Sequence, residues 1–334
     1  MTPMRRPPIS PAPFGARPQR GFTLIEVLVA TATAAILGAV LIAMILGVAR
    51  TTQRAETTRR LAILREGLAA FYRTNAFLVE ADEGPSFSTG PRSRIGNGTI
   101  LSDADVQPLL GYLARYAPSD AYRDGYGQPM KLFVSTRRFQ LVDGISLAYR
   151  RLAIVSAGPN GRFESADWDP LQAQLARGGD DEVVILDALA DQAELFRRTD
   201  QRMQRLADAV RGYAQGRFLL DPNRDPLIDY FGRSADAPGA SSTAASDRFD
   251  PGSALARTST KADASMTDAE LAALQLTRDD AVGAWGQPLR YENDTETVRN
   301  PQRAAPDNFP PYTARVVVAL PGRGDYQQLI IGAF

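Results

Sequence analysis

Residues 20–50 read "RGFTLIEVLVATATAAILGAVLIAMILGVAR". From Phe22 to Ala49 a single charged side chain occurs, Glu26. A membrane-spanning helix needs about 20 predominantly apolar residues, and this run exceeds that. The segment before it carries Arg5, Arg6, Arg17 and Arg20 and no acid. Such a basic excess places the N-terminus on the cytoplasmic side and the rest of the chain outside. A secretory signal has a shorter apolar core, about 7–15 residues, closed by a cleavage site of small residues. Here the run leads straight into helix-forming sequence, "TTQRAETTRRLAILREGLAAFYRT" (51–74). An uncleaved signal anchor accounts for the length and the basic flank, but not for Glu26. A carboxylate within a membrane is costly and calls for a partner. No Lys or Arg lies between Phe22 and Ala49, so the partner must come from elsewhere. A free α-amine made by cutting just before the apolar run would serve, because it is cationic at neutral pH.

The composition bounds the rest. The chain has 334 residues, enough for two or more domains. Lys plus Arg equals Asp plus Glu at 38 each, so no net charge draws it to nucleic acid, and no nucleic-acid partner is expected. There is no Cys and no His. This removes thiol nucleophiles, disulfides, His-based metal sites and the commonest general base. Any metal site must be built from oxygen, which favours calcium or magnesium over zinc.

"GFTLIEVLVA" (21–30), with basic residues before the Gly and a long apolar helix after it, resembles the class III signal of type IV pilins and type II secretion pseudopilins. The resemblance implies a cut by a prepilin peptidase between Gly21 and Phe22 and methylation of the new N-terminal Phe22. It implies that Glu26 pairs with the terminal amine of a neighbouring subunit during filament assembly. The implied partners are the peptidase, other pilin or pseudopilin subunits and an inner-membrane assembly platform. The implied location is the bacterial inner membrane, single-pass, with a cytoplasmic N-terminus and periplasmic C-terminal domains. Two features depart from major pilins: Ala43 stands where many carry Pro, and "EVLVA" reads like a minor subunit.

Beyond Ala49 the pattern becomes amphipathic. Leu61, Leu64, Leu68 and Phe71 follow the spacing of one helical face. One continuous helix is therefore expected from about Phe22 to Thr74, with a bend near Gly47 as the alternative. The same face recurs 142 residues later as Met203, Leu206, Val210 and Tyr213. "YGQPMKL" (126–132) is echoed by "WGQPLRY" (285–291), and "LAIVSAGPNG" (152–161) by "RVVVALPGRG" (315–324). Three echoes in one order indicate duplication of a unit. Each unit reads as a helix, a variable loop and short strands bounded by Gly and Pro. The expected class is α+β, a long N-terminal helix followed by two units, each a helix on a small antiparallel sheet. The pilin globular domain has this layout, and its "DPWGNPYxY"-like turn resembles "DGYGQPMKL" and "GAWGQPLRY". The expected divisions are a leader (1–21), the membrane half of the helix (22–49), a first pilin-like domain (50–190) and a second (191–334). Residues 234–265 and 80–100 read as surface loops, being small and polar.

"SAGPNGRFESADWDPLQAQLARGGDDEVVILD" (156–187) ends in paired acids before an apolar run. Calcium takes six to eight oxygens from carboxylates, amides and backbone carbonyls. Asp180 and Asp181 supply carboxylates, and Asn160 an amide oxygen. A comparable loop binds calcium in major pseudopilins, so the resemblance implies Asp180 and Asp181 as side-chain ligands, with Asn160 added as a third candidate outside the resemblance. A solvated acidic turn capping a strand is the alternative. No catalytic residues are expected. The serines have no His to activate them, and Asp167 and Asp169 beside Trp168 echo a hydrolase carboxylate pair only faintly. The Arg-Gly-Asp at 323–325 reads as a hairpin turn. Two functions follow: a structural, minor subunit of a pilus-like filament, or a membrane-tethered binding module (an adhesin or cargo receptor) exported by a pilin-type signal.

Overall fold

The computed structural model describes residues 23–90, 93–101, 111, 113–165, 168–226, 228–231, 250, 252–255, 265–292 and 312–332. Gly21, Phe22, Asp167 and most of the 234–265 loop lie outside them. The chain falls into two compact units, Met1–Thr52 and Gln53–Phe334.

In the first unit the described residues belong to helix α1 (Leu24–Val79). Its apolar side chains are exposed, and its most apolar window has a mean hydropathy of 2.5 with none of it buried. By length and composition it can cross a membrane. Polar groups within the run are silenced locally. Thr31 Oγ1 donates to Val27 O at 2.9 Å and Thr33 Oγ1 to Val29 O at 2.8 Å. A hydroxyl that bonds back to the preceding turn needs no water.

The second unit begins within α1, where Leu61, Leu64, Leu68 and Phe71 are all buried, as the spacing predicts. The helix passes Gly47 unbroken. The irregular position is Asn75, with φ −122° and ψ 27°. Its side-chain Nδ2 donates to Phe71 O at 3.0 Å. An Asn that bonds to nearby backbone competes with the helical ladder, which accounts for the break. Helix α2 (Leu189–Leu220) buries Met203, Leu206 and Val210, with Tyr213 half-buried. A short helix, α3 (Asp268–Ala273), opens on a reciprocal capping box between Thr267 and Glu270.

The described strands pair antiparallel throughout. β1 (Ser86–Gly90) pairs with β2 (Ser93–Gly96). A four-stranded sheet runs in the order β3 (Thr99–Ile100), β4 (Lys131–Val134), β7 (Arg151–Ser156), β10 (Glu182–Asp187). β5 (Arg138–Val142) and β6 (Ile145–Tyr149) form a hairpin, and β8 (Trp168–Asp169) meets β9 (Gln174–Leu175). A three-stranded sheet follows: β11 (Arg290–Glu292), β12 (Thr313–Ala319) and β13 (Asp325–Ile331). The mixed α+β class with small antiparallel sheets is therefore observed. Arg323-Gly324-Asp325 lies at the β12–β13 turn, as expected.

The 80–100 segment is not a surface loop. It carries β1, β2 and β3, and Phe87 and Ile95 are buried in the core. The polar composition hid it because a hairpin needs only its inward positions to be apolar. Both α1 and α2, and strands of both sheets, contribute to one continuous hydrophobic cluster from Leu61 to Ile330. A smaller cluster of Phe133, Ala153, Val155, Trp168 and Ala173 covers the other face of the four-stranded sheet.

The echoed Gly-Gln-Pro turns are built alike. In the first, Asp124 N donates to Gln128 O (2.8 Å), Gly127 N to Asp124 O (3.0 Å) and Met130 N to Tyr122 O (3.0 Å). In the second, Gly283 N donates to Gln287 O (2.7 Å), Gly286 N to Gly283 O (2.9 Å) and Leu289 N to Ala281 O (2.8 Å). Gly127 and Gly286 both take the left-handed conformation, at φ 83° and 81°. Each turn also grips a helix in the same way. Gly125 N donates to Thr57 Oγ1 at 2.9 Å, and Ala284 N to Thr199 Oγ1 at 2.9 Å. Both threonines are fully buried and donate to the carbonyl four residues back. Arg60 Nη1 reaches Arg123 O at 3.2 Å, and Arg202 Nη1 reaches Val282 O at 2.7 Å. Thr57 and Arg60 precede Thr199 and Arg202 by the same 142 residues that separate the two apolar stripes.

The third echo is out by one residue. β4 pairs Lys131 with Val155, whereas β11 pairs Arg290 with Val317. Val155 therefore answers to Val317, not to Val318. A slip of one would turn every side chain to the opposite face. With the observed register, core-facing Leu152 and Ile154 match core-facing Ala314 and Val316.

Candidate functional site

Glu26 lies in the first turn of α1. Its Oε2 accepts from Thr23 N at 3.0 Å and from Thr23 Oγ1 at 3.1 Å, while Glu26 N donates to Thr23 Oγ1 at 3.3 Å. This is a capping box, in which a Thr and an acid three residues on satisfy each other's backbone N–H. An acid here also complements the positive end of the helix dipole. The Thr-Leu-Ile-Glu spacing carries that signal, so the carboxylate has a partner within its own first turn. The bonds engage Oε2 and leave Oε1 open to approach. Gly21 and Phe22 fall outside the described residues.

The acidic loop brings its three candidate residues together. β7 ends at Ser156, and a 3-10 turn follows at Gly158–Asn160. Asn160 N donates to Asp180 Oδ2 at 3.3 Å. Asp181 is fully buried, and its Oδ2 accepts from Glu164 N at 2.9 Å and Ser165 N at 2.6 Å. Gly158 is required by the approach: a Cβ there would stand 2.7 Å from Asp180 O. Asp180 Oδ1 and Asp181 Oδ1 are buried and have no hydrogen-bond donor. Two orphaned carboxylate oxygens side by side in sequence are what an oxygen-loving cation would satisfy. Asn160 Oδ1, by contrast, already accepts from Arg162 N at 2.7 Å. Among the described residues no group of three or more acidic side chains converges as a ready-made cage. The free oxygens of Asp180 and Asp181 are compatible in donor chemistry with a hard cation.

Asp124 is a partner of this loop that sequence reasoning missed. It is fully buried; its Oδ1 accepts from Tyr126 N (2.9 Å) and Gln128 N (2.8 Å), and its Oδ2 from Ser156 Oγ (2.7 Å). Ser156 Oγ in turn accepts from Gly158 N at 3.2 Å. The first Gly-Gln-Pro turn is thereby tied to the start of the acidic loop. Gly283 stands at the matching place in the second turn, and that turn lacks the tie. Asp169 holds a turn instead of facing a cleft: its Oδ1 accepts from Leu171 N at 2.8 Å and Gln172 N at 3.1 Å.

No known protein family, curated protein or solved structure matches this chain.

Proposed function

We propose that the chain is a structural, minor subunit of a type IV pilus-like or type II secretion pseudopilus filament. The observation that carries this reading is the exposed apolar half of α1 with Glu26 one turn from its start. In the proposed cycle the subunit waits in the inner membrane with its N-terminus in the cytoplasm. A prepilin peptidase cuts between Gly21 and Phe22, and Phe22 is methylated. While the subunit waits, Thr23 and the helix end share the Glu26 charge. On assembly the α-amine of a neighbouring subunit approaches the open Oε1. Unlike charges attract strongly where water is excluded. The apolar halves of α1 then pack as the filament core, and the residues from Gln53 onward form a doubled pilin-like head. The matched turns, each gripping a helix through a buried Thr, support that duplication. Calcium at Asp180 and Asp181 would brace the acidic loop of the first half.

Intact mass of the membrane-extracted protein tests the reading. A chain beginning at Phe22 and carrying one methyl is expected; a chain retaining residues 1–21 overturns it. Glu26→Ala should insert normally but fail to enter filaments. For the cation, added calcium should raise the melting temperature of the wild type by several degrees and leave Asp181→Asn unmoved; no shift in the wild type removes the site.

A second reading, a tethered binding module, is favoured by one observation. Phe139 and Leu141, two residues apart on β5, are exposed on one face of the strand, and Leu171 is exposed as well. Loss of activity on replacing these residues, with Glu26 and Phe22 dispensable, would select it.

A further inference from the structure

A chain of buried polar side chains crosses the core of the Gln53–Phe334 unit. Glu80, just past α1, is fully buried, and Tyr72 Oη donates to its Oε1. Gln192 of α2 donates through Nε2 to Tyr72 Oη at 3.0 Å, and its Oε1 accepts from Trp285 Nε1 at 2.8 Å. Trp285 lies in the second Gly-Gln-Pro turn. Three hydrogen bonds thus connect a carboxylate of the first half to the turn that anchors the second.

The carboxylate itself is poorly compensated. Glu80 Oε2 is buried without a hydrogen-bond donor. Arg150, also fully buried, brings its Nε to 3.6 Å from Oε2, but its N–H groups are committed elsewhere. Nε donates to Val79 O (2.9 Å), Nη1 to Gly84 O (2.6 Å) and Ser135 O (2.7 Å), and Nη2 to Asp82 O. Four of the five guanidinium donors therefore pin carbonyls. Turning one toward Glu80 would release part of the 79–84 segment or the end of β4.

We propose that Glu80 is a proton-operated latch: neutral, it leaves Arg150 on the carbonyls of the 79–84 segment and β4; ionised, its unpaired Oε2 draws Arg150 off them and loosens the packing behind the Tyr72–Gln192–Trp285 chain. The other groups facing it do not replace it as the titrating site. Tyr72 is kept neutral, its phenol pushed up by burial and by Glu80. Arg137 packs nearby but spends Nη2 on Ala81 O at 2.7 Å, and its partner Glu83 is exposed. Asp82 presents its backbone oxygen to Arg150. The β12–β13 turn presses on the same spot without contributing a carboxylate: a Cβ on Gly322 would stand 2.9 Å from Glu80 O and 3.0 Å from Arg137 Nε. Burial pushes the Glu80 carboxyl up to about 7. The charge therefore changes within the range a compartment open to the exterior experiences. The latch asks nothing of the filament reading, only this side-chain geometry.

Trp285 is the built-in reporter. In the full-length protein in detergent, with Trp168→Phe to isolate it, fluorescence should titrate between about pH 5.5 and 8.5 with one midpoint near neutrality. Hydrogen exchange over 189–199 in the wild type, corrected for intrinsic rates, should rise at least about fivefold across the same range. Glu80→Gln should flatten both profiles. Tyr72→Phe, which keeps the carboxylate and cuts its link to Gln192, should abolish the Trp285 signal. A flat exchange profile in the wild type, an unchanged titration in Glu80→Gln, or a Trp285 signal that survives Tyr72→Phe each overturns the latch.

Discussion

At the scale of single residues, the most telling positions are buried polar groups with one defined partner. Thr57 and Thr199 each use one hydroxyl twice, donating to their own helix and accepting from a turn. Thr57→Val or Thr199→Val keeps the shape and leaves a half-buried N–H unsatisfied. Each should cost about 1–3 kcal/mol, read by denaturant unfolding. Equal losses in the two variants are expected, since the two grips have the same geometry. Glu80 makes a different prediction, about pH. Its folded-state value of about 7 lies above the ordinary 4.5. Between those values the folded state holds a proton that the unfolded state has released. The stabilisation is thus complete below about pH 4.5 and is lost as pH rises through about 7, an effect of order 3 kcal/mol. Urea titrations at a series of pH values should show it, and Glu80→Gln should remove this slope.

At the scale of elements, α1 shows two solutions to one difficulty, polar groups on a helix. Within 24–49 the threonines turn inward on their own backbone. Beyond Gln53 charged side chains also pair, as Arg60 does with Glu56 at 2.7 Å, while Thr57 still bonds back to its own helix. Glu56, held by Arg59 and Arg60, is drawn down to about 2. It stays ionised across the physiological range, so it is not a second switch. The first turn depends on the Thr23–Glu26 box. Thr23→Ala should fray the start of α1, costing about 1 kcal/mol in helix stability and raising hydrogen exchange at residues 24–27. Insertion into membranes should be unaffected. The apolar stripes were legible because a repeat of three and four residues reports one helix face whatever it packs against. The expected end at Thr74 falls one residue before the break at Asn75; the further turn to Val79 was not legible, because it is held by burial of Ala76 and Val79 in the core.

At the scale of the whole molecule, the Gln53–Phe334 unit draws both halves into one hydrophobic cluster. Two halves sharing a core should lose it together. Calorimetry of the full-length protein should show one transition for this unit, with equal calorimetric and van't Hoff enthalpies. Two resolved transitions would mean that each half folds alone. Polar ties across the halves point the same way. Arg73 pairs with Asp191 at 2.8 Å, Arg197 with Asp143 at 3.1 Å, and Arg323 reaches Ser146 O at 2.6 Å. The exposed pairs add little individually; the shared core and the buried Glu80 chain dominate.

By itself the sequence determined the apolar helix, its amphipathic continuation, the second helix with the same stripe and the two Gly-Gln-Pro turns. These are local features, written in spacing and in residues whose backbone preferences hold in any context. Tertiary structure alone decided the strand register, the hairpin within 80–100 and the partners of Glu80, Asp124 and Asp181. Each of those depends on which distant group fills the space beside it, and burial makes the absence of a partner expensive in a way that no local pattern records.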